Sequence, residues 1–337
     1  MLRNGIIILF LVSFSFRALS QDPQFSQFYS NYLYLAPSFA GLTDKNRVAF
    51  NYRNQWPEIK HGYQTYSVSF DKFIEKFNSG IGILAYQDVA GSGRMRTTSL
   101  GIQYSFDFKI TEIWSVRPGL HFNYTERGID FERLVWADQF NASGSSVVIA
   151  PQTNEVKTLE EVGDIDFSTS LLTYSSKFWL GASVDHLLRP NQSLYLYEGD
   201  EANQAKIPLK YAVFGGVKFV RPEKLLRPIP TSIQLAFMYK QQAQFRQLDL
   251  GVYWFHSPVV FGLWYRGIPL YKEVFNRDAF TLLVGIKTGD INIGYSYDFT
   301  ISRLITNTGG AHELSVSYVF KTKPMKHKVR MVPCPEF

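Results

Sequence analysis

The chain has a single cysteine, Cys334, among 337 residues, which excludes a disulfide within the chain and any zinc site built on several thiolates. Charge is scarce as well: 19% of residues are charged, against 45% hydrophobic and 16% aromatic. Disordered chains have the opposite balance, so most of this one must be buried or inserted. The formal excess of +6 lies at the two ends. The first 20 residues carry Arg3 and Arg17 without an acid, and the last 17 carry five basic residues against Glu336, so the body holds 28 of each sign. Nothing in that balance marks a nucleic-acid binder, which needs a basic face on the folded body. No window of 18 apolar residues follows Gln21, so membrane-spanning helices are excluded.

What is present begins with an export signal. Residues 1–20 place Arg3 before an apolar stretch from Ile6 to Phe16, then Ala18-Leu19-Ser20 as a small-residue cleavage site. The stretch is well short of the roughly 20 residues of a spanning helix. No cysteine follows it, against a lipoprotein, and an exported chain almost without cysteine fits a Gram-negative envelope better than a disulfide-forming secretory route.

After Gln21 the sequence alternates with period two. Leu100, Ile102, Tyr104, Phe106 and Phe108 interleave with Ser99, Gly101, Gln103, Ser105 and Asp107; Leu248, Leu250, Val252 and Trp254 with Gln247, Asp249, Gly251 and Tyr253; Ile291, Ile293, Tyr295, Tyr297 and Phe299 with Asn292, Gly294, Ser296 and Asp298. Alternation of this kind is a strand with one apolar face. A soluble sandwich shares it but uses strands of about 5 to 6 residues. These are near the 9 to 11 that a tilted strand needs to cross a bilayer. Aromatics crowd the strand ends (Trp114, Trp179, Trp254, Phe255, Tyr295, Tyr297, Phe299, Tyr318, Phe320), where interface girdles sit. The other face is small and polar, which suits a wet lumen. The expected fold is an all-β outer-membrane barrel, antiparallel and transmembrane.

Strands are expected near residues 47–53, 63–72, 79–87, 95–109, 112–125, 165–174, 177–186, 209–220, 231–240, 245–254, 258–266, 278–287, 289–298 and 310–320, about fourteen, an even number as in bacterial single-chain barrels. With both termini periplasmic, the long connections 126–164, 187–208, 267–277 and 299–309 fall outside, and the tight ones near Ser175-Ser176, 255–257 and Thr288 fall inside. Two connections break the pattern: 241–244 is short but outside, and 221–230 is long but inside. The expected organisation is therefore 1–20 signal peptide, 21–46 N-terminal segment, 47–320 barrel and 321–337 basic periplasmic tail. On the last strand Leu314, Val316, Tyr318 and Phe320 point outward. The tail, with Pro324, Pro333 and Pro335, is not a further strand, and Cys334 reads as an unpaired thiol in a mobile segment.

Catalytic chemistry is not visible. His312-Glu313 lacks the second histidine of a zinc helix and lies on a strand, so it reads as lumen or turn polarity. Gly91-Ser92-Gly93-Arg94 has no helix behind it to hold a phosphate. The six histidines have no ligand spacing. No catalytic, cofactor or metal residue is assigned.

Two stretches carry a family resemblance. Gln21-Asp22-Pro23-Gln24-Phe25-Ser26-Gln27-Phe28-Tyr29, followed by Leu33-Tyr34-Leu35-Ala36-Pro37-Ser38-Phe39-Ala40-Gly41, resembles the N-terminal signature of the PorP/SprF family of type IX secretion membrane proteins of the Bacteroidota. Asn51-Tyr52-Arg53-Asn54-Gln55-Trp56-Pro57 with Tyr66-Ser67-Val68-Ser69-Phe70-Asp71 resembles that family's first hairpin. Tyr32 and Ala36 depart from the residues common there, Pro and Asn. The resemblance implies a non-enzymatic barrel of the secretion and gliding machinery. Its partners would be a large secreted adhesin that it helps reach or stay on the surface, periplasmic ring lipoproteins, or both, beside outer-membrane lipid and without nucleic acid. Candidate partner contacts are Phe25, Phe28, Tyr29, Arg53, Trp56, Lys326, Lys328, Arg330 and Cys334. Segment 21–42 either lies at the periplasmic rim or folds into the lumen as a plug. A passive or gated channel for small solutes is the alternative function, and a barrel hydrolase a third.

Overall fold

A computed structural model of the chain describes residues 22–334 apart from 44, 144–145, 150–152, 155–158, 195–204, 221–230, 268–278, 302–307 and 322–331. The signal peptide, the connection 221–230 and the tail residues Lys326, Lys328 and Arg330 lie outside the described residues.

The strands are β1 (Asn46–Gln55), β2 (Tyr63–Ile74), β3 (Ser79–Ala90), β4 (Met95–Phe106), β5 (Phe108–Lys109), β6 (Ser115–Gly128), β7 (Phe140–Ser143), β8 (Ser146–Ile149), β9 (Glu161–Tyr174), β10 (Phe178–Asp185), β11 (Lys210–Val220), β12 (Thr231–Gln242), β13 (Phe245–His256), β14 (Val259–Arg266), β15 (Ala279–Thr288), β16 (Ile291–Thr300) and β17 (Ala311–Phe320). Each long strand pairs antiparallel with its sequence neighbours, β5 continues β4 beside β6, and β7–β8 is a separate hairpin within one long connection. The sheet closes where β1 meets β17, from Asn46 opposite Phe320 to Gln55 opposite Ala311. The result is a closed barrel of fourteen antiparallel strands, and closure removes both sheet edges. All fourteen expected strands are present, with ends displaced by a few residues.

Pleating puts alternate side chains on opposite faces. The outward set is apolar around the barrel: Ile102, Leu235, Leu263, Val284, Ile293 and Leu314 are all exposed. A contiguous apolar surface of that extent belongs in lipid. The inward set divides in two. From β1 to β6, and again on β16 and β17, it is polar, with Asn51, Ser67, Gln103, Ser105, Arg117, Ser296 and Ser315 buried. From β9 to β15 it is mixed: Leu172, Trp179, Phe214, Met238, Tyr253, Trp264 and Leu283 are buried in one apolar cluster, beside buried polar residues such as Ser170, Gln234, Asp249 and Arg266.

This corrects two expectations. The lumen is not uniformly polar and wet. Nor are Trp179 and Phe255 girdle residues, since strand parity turns Trp179 and Phe255 inward, where both join the apolar cluster, while Trp254 and Leu180 face out.

What the inward faces enclose is the chain's own beginning. Residues 22–42 run through the barrel as a short helix α1 (Tyr32–Leu35), a 3-10 turn at Pro37–Phe39 and irregular chain. The segment starts beside the ends of β10, β11 and β12, where Asp22 touches His186, Lys210 and Gln242. It finishes at the opposite end, where Gly41 meets Asp71 before β1 begins. The first end is the one bearing the long connections 129–160 and 186–209, and the second bears the tight turns after β9, β13 and β15.

Candidate functional site

The site is the seat of residues 22–42, and its two walls hold the segment by different physics. On the polar wall four charges meet. Arg53 of β1 pairs with Asp298 of β16 at 2.8 Å and Glu313 of β17 at 3.3 Å, and Arg266 of β14 reaches Asp298 at 3.0 Å. Two positive and two negative groups, all buried, leave the network itself without net charge. Ser26 closes the network: its hydroxyl donates to Asp298 at 2.6 Å and accepts from Arg53 and Arg266, and its backbone N–H donates to Glu313 at 2.6 Å. Gln27 adds its own N–H to Glu313 at 3.0 Å and its side-chain amide to the Glu313 carbonyl at 2.9 Å and to Ser296. Such a network contributes specificity more than raw stability, because desolvation offsets the Coulomb gain, but losing one member strands the rest.

The wall also binds the segment's backbone. Gln103 donates to the Leu33 carbonyl at 2.7 Å, Arg117 to the carbonyls of Ala40 and Gly41, and the Ser38 and Gly41 N–H groups donate to Ser170 and Asp71. Arg47, paired with Asp71 at 2.9 Å, lies 4.1 Å from the centre of the Tyr32 ring, a cation–π contact. Close approach needs glycine at two wall positions. A Cβ on Gly80 would stand 1.9 Å from the Ala40 oxygen, and one on Gly119 2.2 Å from the Ser38 nitrogen. At Gly41 the segment turns with φ +61, a conformation that costs glycine little.

The apolar wall takes the aromatic side. Phe28 packs edge-on against Trp264 with centroids 4.7 Å apart, Tyr29 sits among Trp179, Tyr253 and Trp264, and Phe39 lies against Phe214. Each buried ring removes about 150 to 250 Å² from water, so this face supplies much of the driving force for seating.

At the mouth Asp22 is held by His186 Nε2 and Lys210 Nζ, each at 2.9 Å. His186 Nδ1 faces Asp166 at 2.5 Å, and Lys210 lies 3.4 Å from Asp185. Burial alone would raise the Asp22 pKa, but the charges of His186 and Lys210 hold it well below the usual carboxylate value. Burial likewise opposes charging of His186, yet Asp22 and the hydrogen bond with Asp166 push it up to about 10.

Of the candidate contacts read from the sequence, Phe25, Phe28, Tyr29 and Arg53 are buried inside the barrel, and Trp56 is half-buried at the mouth against Tyr63. Cys334 corrects the expectation of a mobile tail: Val332, Pro333 and Cys334 are buried, and Val332 and Cys334 join the luminal cluster of Tyr29, Trp179 and Tyr253. The apolar side chains of Val332 and Cys334 complete that cluster, which is why the tip leaves water. The partners that sequence reasoning left unassigned are Arg266, Asp298, His186 and Arg117. For Arg266, Asp298 and Arg117 the one signal was a charged side chain at an inward position of a strand, whereas His186, just beyond β10, gave none. Among the described residues no group of three or more His, Cys, Asp or Glu gathers as a metal site.

The family model for the type IX secretion system membrane protein PorP/SprF matches residues 18–318. The chain belongs to the PorP/SprF family. Among curated proteins nothing matches it. Its solved structural neighbours include the toluene transporter TodX of P. putida (8% identity, TM-score 0.47, 86% of this chain and 93% of that one) and the monoaromatic hydrocarbon channel CymD (9%, 0.46, 87% and 93%). Another is Omp33 of Acinetobacter baumannii (8%, 0.44, 83% and 100%). As a PorP/SprF barrel it is an outer-membrane component of type IX secretion in a Gram-negative envelope. Short turns of such barrels face the periplasm, so the mouth around Asp22 faces outside.

Proposed function

We propose that this barrel is a non-enzymatic docking component, which helps a large secreted adhesin of the gliding apparatus reach or stay on the cell surface, contacts the periplasmic ring lipoproteins, or does both. The observation that carries the reading is the filled lumen. Residues 22–42 traverse it and bond to both walls, so they act as a plug, and a barrel of this kind works through its rims rather than its bore. A gated channel for small solutes would need the segment to leave, stripping the bonds of Ser26 and Gln27 from Asp298 and Glu313.

Affinity purification of the native protein from its own outer membrane in mild detergent, with mass spectrometry of what accompanies it, tests this. Recovery of a surface adhesin or ring lipoproteins is the expected result. The barrel alone after cross-linking, together with ohmic conductance in planar bilayers, would replace docking with a channel.

A further inference from the structure

The periplasmic rim is not charged evenly. Three of its connections follow one another along the sheet: the 3-10 turn Glu75–Phe77 after β2, residues 110–114 between β5 and β6, and residues 175–177 between β9 and β10. On or beside them stand Lys72, Lys76, Lys109 and Lys177, all exposed. Among the described residues none of these ammonium groups bonds to a carboxylate. Four lysines against Glu75 and Glu112 leave the arc two charges positive. Elsewhere charge is matched: further round the same rim Lys45 pairs with Asp290 at 2.7 Å, and at the outer ends of the same strands Arg96 pairs with Glu161 and Arg133 with Asp130.

The turns that carry these lysines also expose apolar side chains. Phe77 follows Lys76, whose ammonium lies 5.5 Å from the centre of that ring; Phe108 and Ile110 flank Lys109; Phe178 follows Lys177. Ile110 and Ile113 are 64% and 63% exposed, as free as Ile102 in the lipid-facing wall at 63%. Side chains this apolar leave water favourably where headgroups meet acyl chains. A lysine in that layer lays its stem on apolar surface while its ammonium reaches the headgroups. Register fixes the direction of Lys72. It stands two residues beyond Phe70 at an outward position of β2, opposite the exposed Ile81 of β3, so it leaves the wall towards lipid and not towards the bore.

We propose that this arc of the rim, from β2 to β10, binds anionic phospholipid of the inner leaflet, with headgroup phosphates on Lys72, Lys76, Lys109 and Lys177 and acyl chains against Phe77, Phe108 and Phe178. An acidic protein in the periplasm would meet the lysines of the turns, but lipid borders the wall that Lys72 leaves. Each lysine beside an anionic surface contributes about fivefold in affinity. The arc covers one side of the barrel, so anionic lipid gathers on that side.

The test equilibrates the full-length protein in detergent with equal amounts of phosphatidylglycerol and phosphatidylcholine of the same acyl chains, and counts retained lipids by native mass spectrometry. Phosphatidylglycerol should be retained about tenfold or more over phosphatidylcholine, and less so as salt rises. Lys72→Gln/Lys76→Gln/Lys109→Gln/Lys177→Gln should bring the ratio close to one while keeping the heat-modifiable gel mobility of a folded barrel. Lys72→Gln alone should lower it about fivefold, which keeps the test decisive should the quadruple variant fail to fold. Lys45→Gln, on the paired part of the rim, should leave it unchanged. Equal retention of the two lipids by wild type, an unchanged ratio in Lys72→Gln, or an equal fall in Lys45→Gln overturns the site. Polyglutamate that displaces phosphatidylglycerol and binds in its absence overturns the lipid assignment in favour of an acidic protein segment.

Discussion

Glu313, in β17, accepts the backbone N–H of Ser26 at 2.6 Å, so the segment before the first strand and the strand that closes the barrel, 287 positions apart, are joined inside the bore. The contact makes seating of the segment and closure of β1 on β17 mutually dependent, because Arg53 on β1 pairs with the same carboxylate.

Glu313→Gln should therefore strand two buried guanidinium groups on one carboxylate and cost about 3 to 5 kcal/mol. The urea midpoint of the barrel in detergent, followed by gel mobility, measures it. A loss under about 1 kcal/mol, the range of exposed pairs, would mean that the network is solvated.

Gly119→Val should unseat the segment while leaving strand pairing intact, since its Cβ would stand 2.2 Å from the Ser38 nitrogen. Protease cleavage within 22–42 and planar-bilayer conductance should both appear in the variant and be absent in wild type. A variant as closed as wild type would show that the segment shifts to accommodate a side chain.

The lipid face should show a depth gradient. Val284, mid-strand and outward, should cost about 2 to 4 kcal/mol as Val284→Arg, whereas Tyr318→Arg, near the end of β17, should cost about 0 to 1 kcal/mol. Equal costs would argue that one of these positions does not meet lipid.

Stability should also follow pH through the mouth. His186, raised from 6.5 to about 10, contributes fully below 6.5, and its contribution is lost as pH rises through about 10. Asp22, held below 3.8, contributes above that value and fades as pH falls through its lowered pKa. The thermal midpoint should decline above pH 6.5 in wild type and stay flatter in His186→Gln. Parallel profiles would remove His186 from the anchoring of Asp22.

Cys334 should react with maleimide at least about tenfold more slowly in the native barrel than in urea, because opening of the cluster must precede reaction. Tyr29→Ala, which removes a ring from that cluster, should speed labelling. Immediate reaction of the native protein would place the tip in water.

Much of the barrel was legible because period two is local. Each strand announces its lipid face by itself, as Leu100, Ile102 and Tyr104 do, and long connections mark one end. The faces of Trp179 and Phe255 were missed because an aromatic at a strand end satisfies either a girdle or a packed lumen. Only counting parity from a neighbour fixed by register, such as Leu180 opposite Gly215, separates the two.

The sequence by itself determined the strands, their outward apolar faces and the family signature around Gln24 to Tyr29 and Asn51 to Pro57. Those are properties of consecutive residues. Tertiary structure alone decided that the signature lies inside the bore, that Arg53, Arg266, Asp298 and Glu313 converge on Ser26, and that Cys334 rests near Tyr29. Closure of β1 on β17 brings together groups more than two hundred positions apart, and no local pattern encodes which inward charges will face one another across a lumen.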